Sequence, residues 1–240
     1  LEYAAKRLDR DAIDDIVNLT RKRERAESLE DIASSSSVSF AELAEGVRRF
    51  CHLPEGQTIL PSSESKSVRL ALIRRFVSEQ LQFQSVAKNY LRIRDFEDIV
   101  DRIVGNDRGA GLIGGKAAGM LLGAKILERA RQDDPDAPDV PLLTPESFFL
   151  RSDSMELFLR HNGLRHLQDH KYKDIDEVRN EYPLLLDLFK NGSFPPVIVE
   201  QLADLLERVG THPLIVRSSS LLEDASSQPF AGVYRTYMIP

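Results

Sequence analysis

Two short stretches of the chain carry residue types that handle phosphate. The first runs Gly109-Ala110-Gly111-Leu112-Ile113-Gly114-Gly115-Lys116. Gly114 and Gly115 have no Cβ, so a ligand can approach their backbone closely. Lys116 stands where the run AAGMLLGAKILERA begins a helix. The free N–H groups and positive dipole end of a helix start favour an anion. In the second stretch, Arg217 ends an apolar strand and is followed by three serines. A planar guanidinium beside hydroxyls suits two-pronged contact with phosphate oxygens. Farther on, Phe230-Ala231-Gly232 offers another glycine for close backbone approach. Each stretch also has a plainer explanation. An ordinary glycine turn with a solvent-exposed lysine accounts for the first, and half of a structural ion pair accounts for Arg217.

Named nucleotide patterns narrow the first stretch. Gly109, Gly111 and Gly114 fit G-x-G-x-x-G, which needs a buried strand before its first glycine and a helix opening at its third. The preceding segment FEDIVDRIVGNDR is charged and helix-spaced, and the helix is expected to open two residues after Gly114. The phosphate-loop pattern G-x-x-x-x-G-K-[ST] would place Ala110 at its first glycine and Ala117 at its hydroxyl. Neither pattern is met. Gly119 and Gly123, four apart in the helix, suggest another element packed tightly on that side.

The elements that must position these residues fall into two textures. Residues 1 to 100 read as helices. In DRDAIDDIVNLTRKRERA, Ile13, Ile16, Val17 and Thr20 share a helical face. Ser34 to Ser37 form a loop, and Ser39 with Glu42 makes a capping box ahead of FAELAEGVRRF. LPEGQTILPSS is a second loop, and a long helix is expected from Ser65 to about Leu91, with Leu72, Ile73, Phe76, Val77 and Phe83 among its apolar positions. After residue 100, helices alternate with short strands. These are the glycine loop, a helix from Ala117 to Ala130, an acidic loop, and the strand PESFFL. There follow a helix SMELFLRH capped by Ser152 or Asp153 and closed by Asn162-Gly163, a helix VIVEQLADLLERV ending at Gly210, and the strands PLIVRSS and AGVYRTYMI. Such alternation indicates an α/β or α+β domain.

Composition bounds the function. A chain of 240 residues, 42% hydrophobic and 29% charged, can bury a sizeable core. The net charge of −6 argues against a nucleic-acid partner. The basic cluster Arg21-Lys22-Arg23 with Arg25 is a solvated helix face, since residues 1 to 100 hold 16 Lys and Arg against 17 Asp and Glu. One cysteine, Cys51, excludes an internal disulfide and fits a cytoplasmic location, and no apolar run is long enough to span a membrane. Cys51 and His52 have no partner at catalytic or ligand spacing. Leu1 in place of Met, and the strand-like end YRTYMIP, lead to the expectation of a piece of a longer protein.

Three motifs in order carry a resemblance. The chain resembles the nucleotide-binding domain of the phosphoenolpyruvate synthase and pyruvate phosphate dikinase family. That family's G-G-K-x-A-x-L is matched by Gly114 to Met120, and its V-P-x-G-F strand is similar to Thr144-Pro145-Glu146-Ser147-Phe148. Its V-R-S-S-x-x-x-E-D, then F-A-G, is matched by Val216 to Ser219, Glu223-Asp224 and Phe230 to Gly232. The resemblance implies an α+β fold: a helical N-terminal domain over residues 1–100, then the first lobe of an ATP-grasp-like nucleotide-binding domain over 101–240. It implies that Lys116 and Arg217 act on ATP phosphates, with Gly114 and Gly115 in the same loop. It further implies that Gly232 belongs to the loop covering the phosphates, and that Thr236 and Tyr237 lie near the nucleotide. Magnesium is implied, with its ligands outside this stretch and no metal ligand within it. The implied reaction passes phosphoryl from ATP through a downstream histidine to pyruvate or another small acceptor; a homo-oligomer is compatible with the sequence, which does not fix the oligomeric state. The stretch alone is expected to be inactive.

Val233 and Tyr234 stand where the family commonly has two glutamines, which marks a divergent branch. Histidines 161, 166, 170 and 212 lack the phosphohistidine context and read as surface residues. The rival expectation is a non-catalytic module, in which the helical domain binds a protein partner and the nucleotide lobe only senses ATP.

Overall fold

Helix α1 (Arg10–Ser34) starts at Asp9, whose carboxylate accepts from the Ala12 N–H at 2.8 Å. The computed structural model to which it belongs describes residues 7–53, 60, 62–105, 111–134, 143–219 and 234–240. The apolar face expected at Ile13, Ile16, Val17 and Thr20 does not become core: Ile16 and Thr20 are exposed. Helix α1 buries Ala26, Leu29 and Ala33 instead. Spacing shows which side of a helix is apolar, but only a packed partner buries it, and burial here is confined to the second half of α1.

Helix α2 (Phe40–Cys51) opens with the expected capping box. The Ser39 hydroxyl accepts from Glu42 N–H at 3.2 Å, and the Glu42 carboxylate accepts from Ser39 N–H at 2.9 Å. The long helix expected from Ser65 to Leu91 is two helices, α3 (Ser62–Leu72) and α4 (Leu81–Tyr90). Between them Ile73–Val77 form a π turn, and Ser78 is extended. Ser78 N–H donates to Ile73 O at 2.9 Å, five residues back, and the chain then turns a corner. The bend keeps Leu72, Ile73, Phe76 and Val77 buried together, with Phe83 packed at the edge.

Helix α5 (Asp95–Asp101) leads into β1 (Ile103–Val104), so the segment expected to be wholly helical ends in a two-residue strand. Helix α6 (Gly115–Asp133) opens directly after Gly114, not two residues later. Strand β2 (Phe149–Leu150), shorter than the expected PESFFL, then pairs parallel with β1, Ile103 opposite Phe149. One continuous core joins Leu29, Leu43, Phe76 and Phe96 of the helical part to Ile113, Ala118, Leu122 and Phe149. The close packing expected at Gly119 and Gly123 is corrected. Among the described residues, nothing lies within 4 Å of a Cβ built on either.

Helix α7 (Ser154–His161) follows Asp153 and closes at Asn162, with Gly163 at φ +69°. Asp153 stands at the cap position, but no side-chain bond is made there. Residues 165–191, to which the sequence pattern assigns no element, hold a 3-10 helix (Arg165–Tyr172) and α8 (Ile175–Asn191). Pro183 inside α8 hides it from pattern reading, because proline ordinarily interrupts a helix. Helix α9 (Pro196–Val209) carries proline at its first turn and stops at Gly210, φ +63°. Gln201 of α9 accepts from Gly105 N–H at 2.7 Å, holding α9 to the end of β1. Strands β3 (Leu214–Arg217) and β4 (Thr236–Ile239) pair antiparallel, Arg217 opposite Thr236 and Val216 opposite Tyr237. The whole is a helix-rich α+β arrangement with few strands among the described residues.

Candidate functional site

Gly114 sits at the N-cap of α6 with φ +86° and ψ 170°, a conformation essentially confined to glycine. The reason is Ser219. A Cβ on Gly114 would overlap the carbonyl oxygen of Ser219 and lie 2.6 Å from its hydroxyl. From this position Ser219 O accepts from Gly115 N–H at 3.2 Å, and Ser219 Oγ accepts from Ala117 N–H at 3.0 Å. A serine 102 residues away in the chain thus caps α6. The expectation that the N–H groups at this helix start are free is corrected at Gly115 and Ala117, both of which Ser219 engages.

Lys116, second residue of α6, is half-buried. Arg217 ends β3 two residues before Ser219 and is exposed, as are its neighbours across the ladder, Thr236 and Tyr237. The fold therefore brings Gly114, Gly115 and Lys116 against Ser219, and sets Arg217 beside Thr236. Gly109, Gly232 and the stretches around them lie outside the described residues. The helix start that bears Lys116 is tied to Ser219, two residues beyond the strand that ends in Arg217. Chemically this set suits oxyanions such as phosphate.

The loop that carries Gly114 is held residue by residue. Gly111 O accepts from Arg151 Nε at 3.1 Å. Leu112 exchanges two bonds with Ser152, N–H to Oγ at 3.1 Å and O from N–H at 3.0 Å. Ile113 N–H donates to Phe76 O at 3.2 Å, and its side chain is buried. Arg151 was not anticipated from sequence. A groove of about 660 Å³ lies farther along α6, lined by Ile99, Arg102, Met120, Leu121, Lys125 and Phe149 among others, and Lys116 is not part of it. Within it Lys125 contacts Asp95 at 2.9 Å and Glu128 at 3.0 Å. Burial pulls the Lys125 pKa down, but the bonds to Asp95 and Glu128 outweigh it and the net shift is upward.

The other candidate side chains stay apart from this site. Cys51 is buried, and burial foremost, with the charge of Glu97 adding, pushes its thiol up to about 12. His52 Nδ1 lies 2.6 Å from Arg48 O. His161, His166 and His212 are exposed, as expected, whereas His170 is half-buried with Nε2 3.4 Å from Glu181. Among the described residues no three His, Cys, Asp or Glu side chains are grouped to hold a metal, and no helix is long and apolar enough to cross a membrane.

The chain is thus a helix-rich α+β structure in which the start of α6 is tied to the residues just after β3. Residues 110–239 match the family described as the AMP/ATP-binding domain of pyruvate phosphate dikinase, and the chain belongs to that family. No curated protein and no solved structure matches the chain. Both sequence grounds against the dinucleotide pattern, the missing strand and the late helix start, are altered by β1 and by α6 opening at Gly115. What separates these glycines from that pattern is the family itself.

Proposed function

We propose that the intact protein is an ATP-dependent phosphotransferase in which the Gly114-Gly115-Lys116 loop and the Arg217 strand hold the phosphates of one ATP. The observation that carries this is Ser219, which ties the two motifs together across the chain. Family membership over residues 110–239 supplies the nucleotide.

In this reading residues 101–240 are the first lobe of an ATP-grasp-like domain, and residues 1–100 are a helical addition to it. Lys116 and Arg217 neutralise charge on the phosphate oxygens and fix the transferring group in line. Positioning and charge stabilisation are most of what phosphoryl transfer asks of a protein. Gly114, Gly115 and Gly232 admit the phosphates close to backbone, and Thr236 and Tyr237 flank the nucleotide on β4. The described residues at this place offer donors that suit phosphate oxygens. Mg²⁺, if held by other parts of the intact protein, would supply further neutralisation of phosphate charge beside Lys116 and Arg217. The phosphoryl group passes to a histidine carrier and on to pyruvate or another small acceptor.

Isothermal titration of the full-length protein with ATP–Mg, against Lys116→Ala and Arg217→Ala, tests the assignment. Removing either cation should weaken binding by about 1.5–3 kcal/mol, roughly ten- to hundredfold. Equal affinity in all three proteins sinks it.

A further inference from the structure

We propose that Arg151 is a positioning residue of the glycine loop, through which the helical part of the chain sets the place of Lys116; this rests on the nucleotide-site reading above. Its side chain is 2% exposed, and a buried guanidinium is costly unless paired and bonded. Its described neighbours include groups from several parts of the fold. Nε donates to Gly111 O at 3.1 Å, and Nη2 lies 3.4 Å from Asp153 Oδ2. The guanidinium carbon stands 5.0 Å from the centre of the Phe40 ring, at the start of α2. The aliphatic stem lies against Gly105, where a Cβ would come within 3.0 Å of it.

Phe40 meets Phe76 edge-on at 5.7 Å, and Phe76 O is the acceptor for Ile113 N–H. Phe76 lies in the last turn before the extended Ser78, where carbonyls have no partner within the helix, so its oxygen is available for this bond. Arg151, Phe40, Phe76 and Ile113 thus form a closed circuit around the loop. Gly111 and Ile113 are fixed from two sides, Leu112 is fixed by Ser152, and Gly114 follows at once. Lysine cannot replace the arginine here. Its ammonium has no planar face for Phe40 and no fork to reach Gly111 and Asp153 together.

The test uses the full-length protein, by amide hydrogen exchange and by ATP–Mg titration, in wild type, Arg151→Ala and Arg151→Lys. In Arg151→Ala the amides of Leu112, Ile113 and Ala117 should exchange about tenfold faster, the loss of one charged hydrogen bond. Those of Leu43 and Val47 in α2 should keep their rates. Added methylguanidinium, which refills the vacated space, should restore the loop, and ATP affinity should fall about tenfold and recover in parallel. Should Arg151→Ala not fold, Arg151→Lys keeps the charge and should show the same selective loosening. Unchanged loop exchange overturns the proposal. So does faster exchange spread equally over α2, or no response to methylguanidinium, since either marks Arg151 as ordinary packing. If wild type binds no ATP the nucleotide reading falls, and the exchange measurements still decide the role of Arg151.

Discussion

Replacing Gly114 with alanine should part the two motifs. The new Cβ falls on the carbonyl oxygen of Ser219, and the residue would have to hold φ +86°, ψ 170°. That backbone conformation costs a non-glycine residue about 1–3 kcal/mol before any clash. The chain can escape the clash only by moving Ser219 away. Doing so gives up the bonds to Gly115 N–H and Ala117 N–H, about 0.5–1.5 kcal/mol each. With the backbone relaxed out of that conformation, the two lost bonds alone come to about 1–3 kcal/mol, which is roughly five- to hundredfold in ATP affinity if the interlocked arrangement is the binding one. Titration calorimetry with ATP–Mg reads the affinity, and exchange at the Ala117 amide reads whether Ser219 has left. Gly119→Ala is the matched control. Among the described residues its Cβ meets nothing within 4 Å in the second turn of α6, so it should leave affinity alone and stabilise the helix by about 0.5–1 kcal/mol. If Gly114→Ala binds ATP as wild type while Ala117 exchanges faster, the interlock is dispensable and the reasoning fails.

Cys51 gives a second test. With its thiol held near 12, it should resist a thiol reagent at pH 8 until the protein is unfolded, and equal labelling rates in native and denatured protein would contradict its burial. The sign of the linkage is also fixed. A folded pKa above the ordinary 9.0 means a stability contribution complete below pH 9.0 and lost as pH rises toward 12. Glu42 behaves oppositely. Its hydrogen bonds from Ser39, side chain first and backbone second, hold its pKa below the ordinary 4.5. The capping box should therefore stabilise above about pH 4.5 and weaken as pH falls further. Thermal melts from pH 6 to pH 3 should show a smaller acid loss in Glu42→Gln than in wild type. Identical acid slopes would rule the box out as a source.

Features that depend on near neighbours in the chain were legible before the structure. The Ser39–Glu42 box, the Gly210 stop, the Asn162-Gly163 turn and the strand character around Arg217 and Thr236 are all written within a few residues. Features that depend on distant neighbours were not. Nothing in the run from Ser65 to Leu91 marks a break, because the π turn contains no proline or glycine and Phe76 within it packs against the distant Phe40 as well as Phe96. Helix α8 forms despite Pro183, and α1 buries Leu29 in preference to Ile16 because partner helices cover only part of its length. At the site, the glycines, Lys116 and Arg217 stood out by type. The 102-residue bond from Ala117 to Ser219 leaves no local trace, nor does an arginine buried under the loop. The serines after Arg217 were the available signal, and hydroxyls that cap helices from afar look like any others.

The central claim is that Lys116 and Arg217 serve one nucleotide. It is tested most directly by a crystal structure of the full-length protein with Mg²⁺ and a non-hydrolysable ATP analogue. The account predicts Lys116 Nζ and the Arg217 guanidinium each within about 3 Å of phosphate oxygens of the same molecule, a normal charged hydrogen-bond distance. A nucleotide bound elsewhere, or held by one of the two cations with the other turned to solvent, would contradict it.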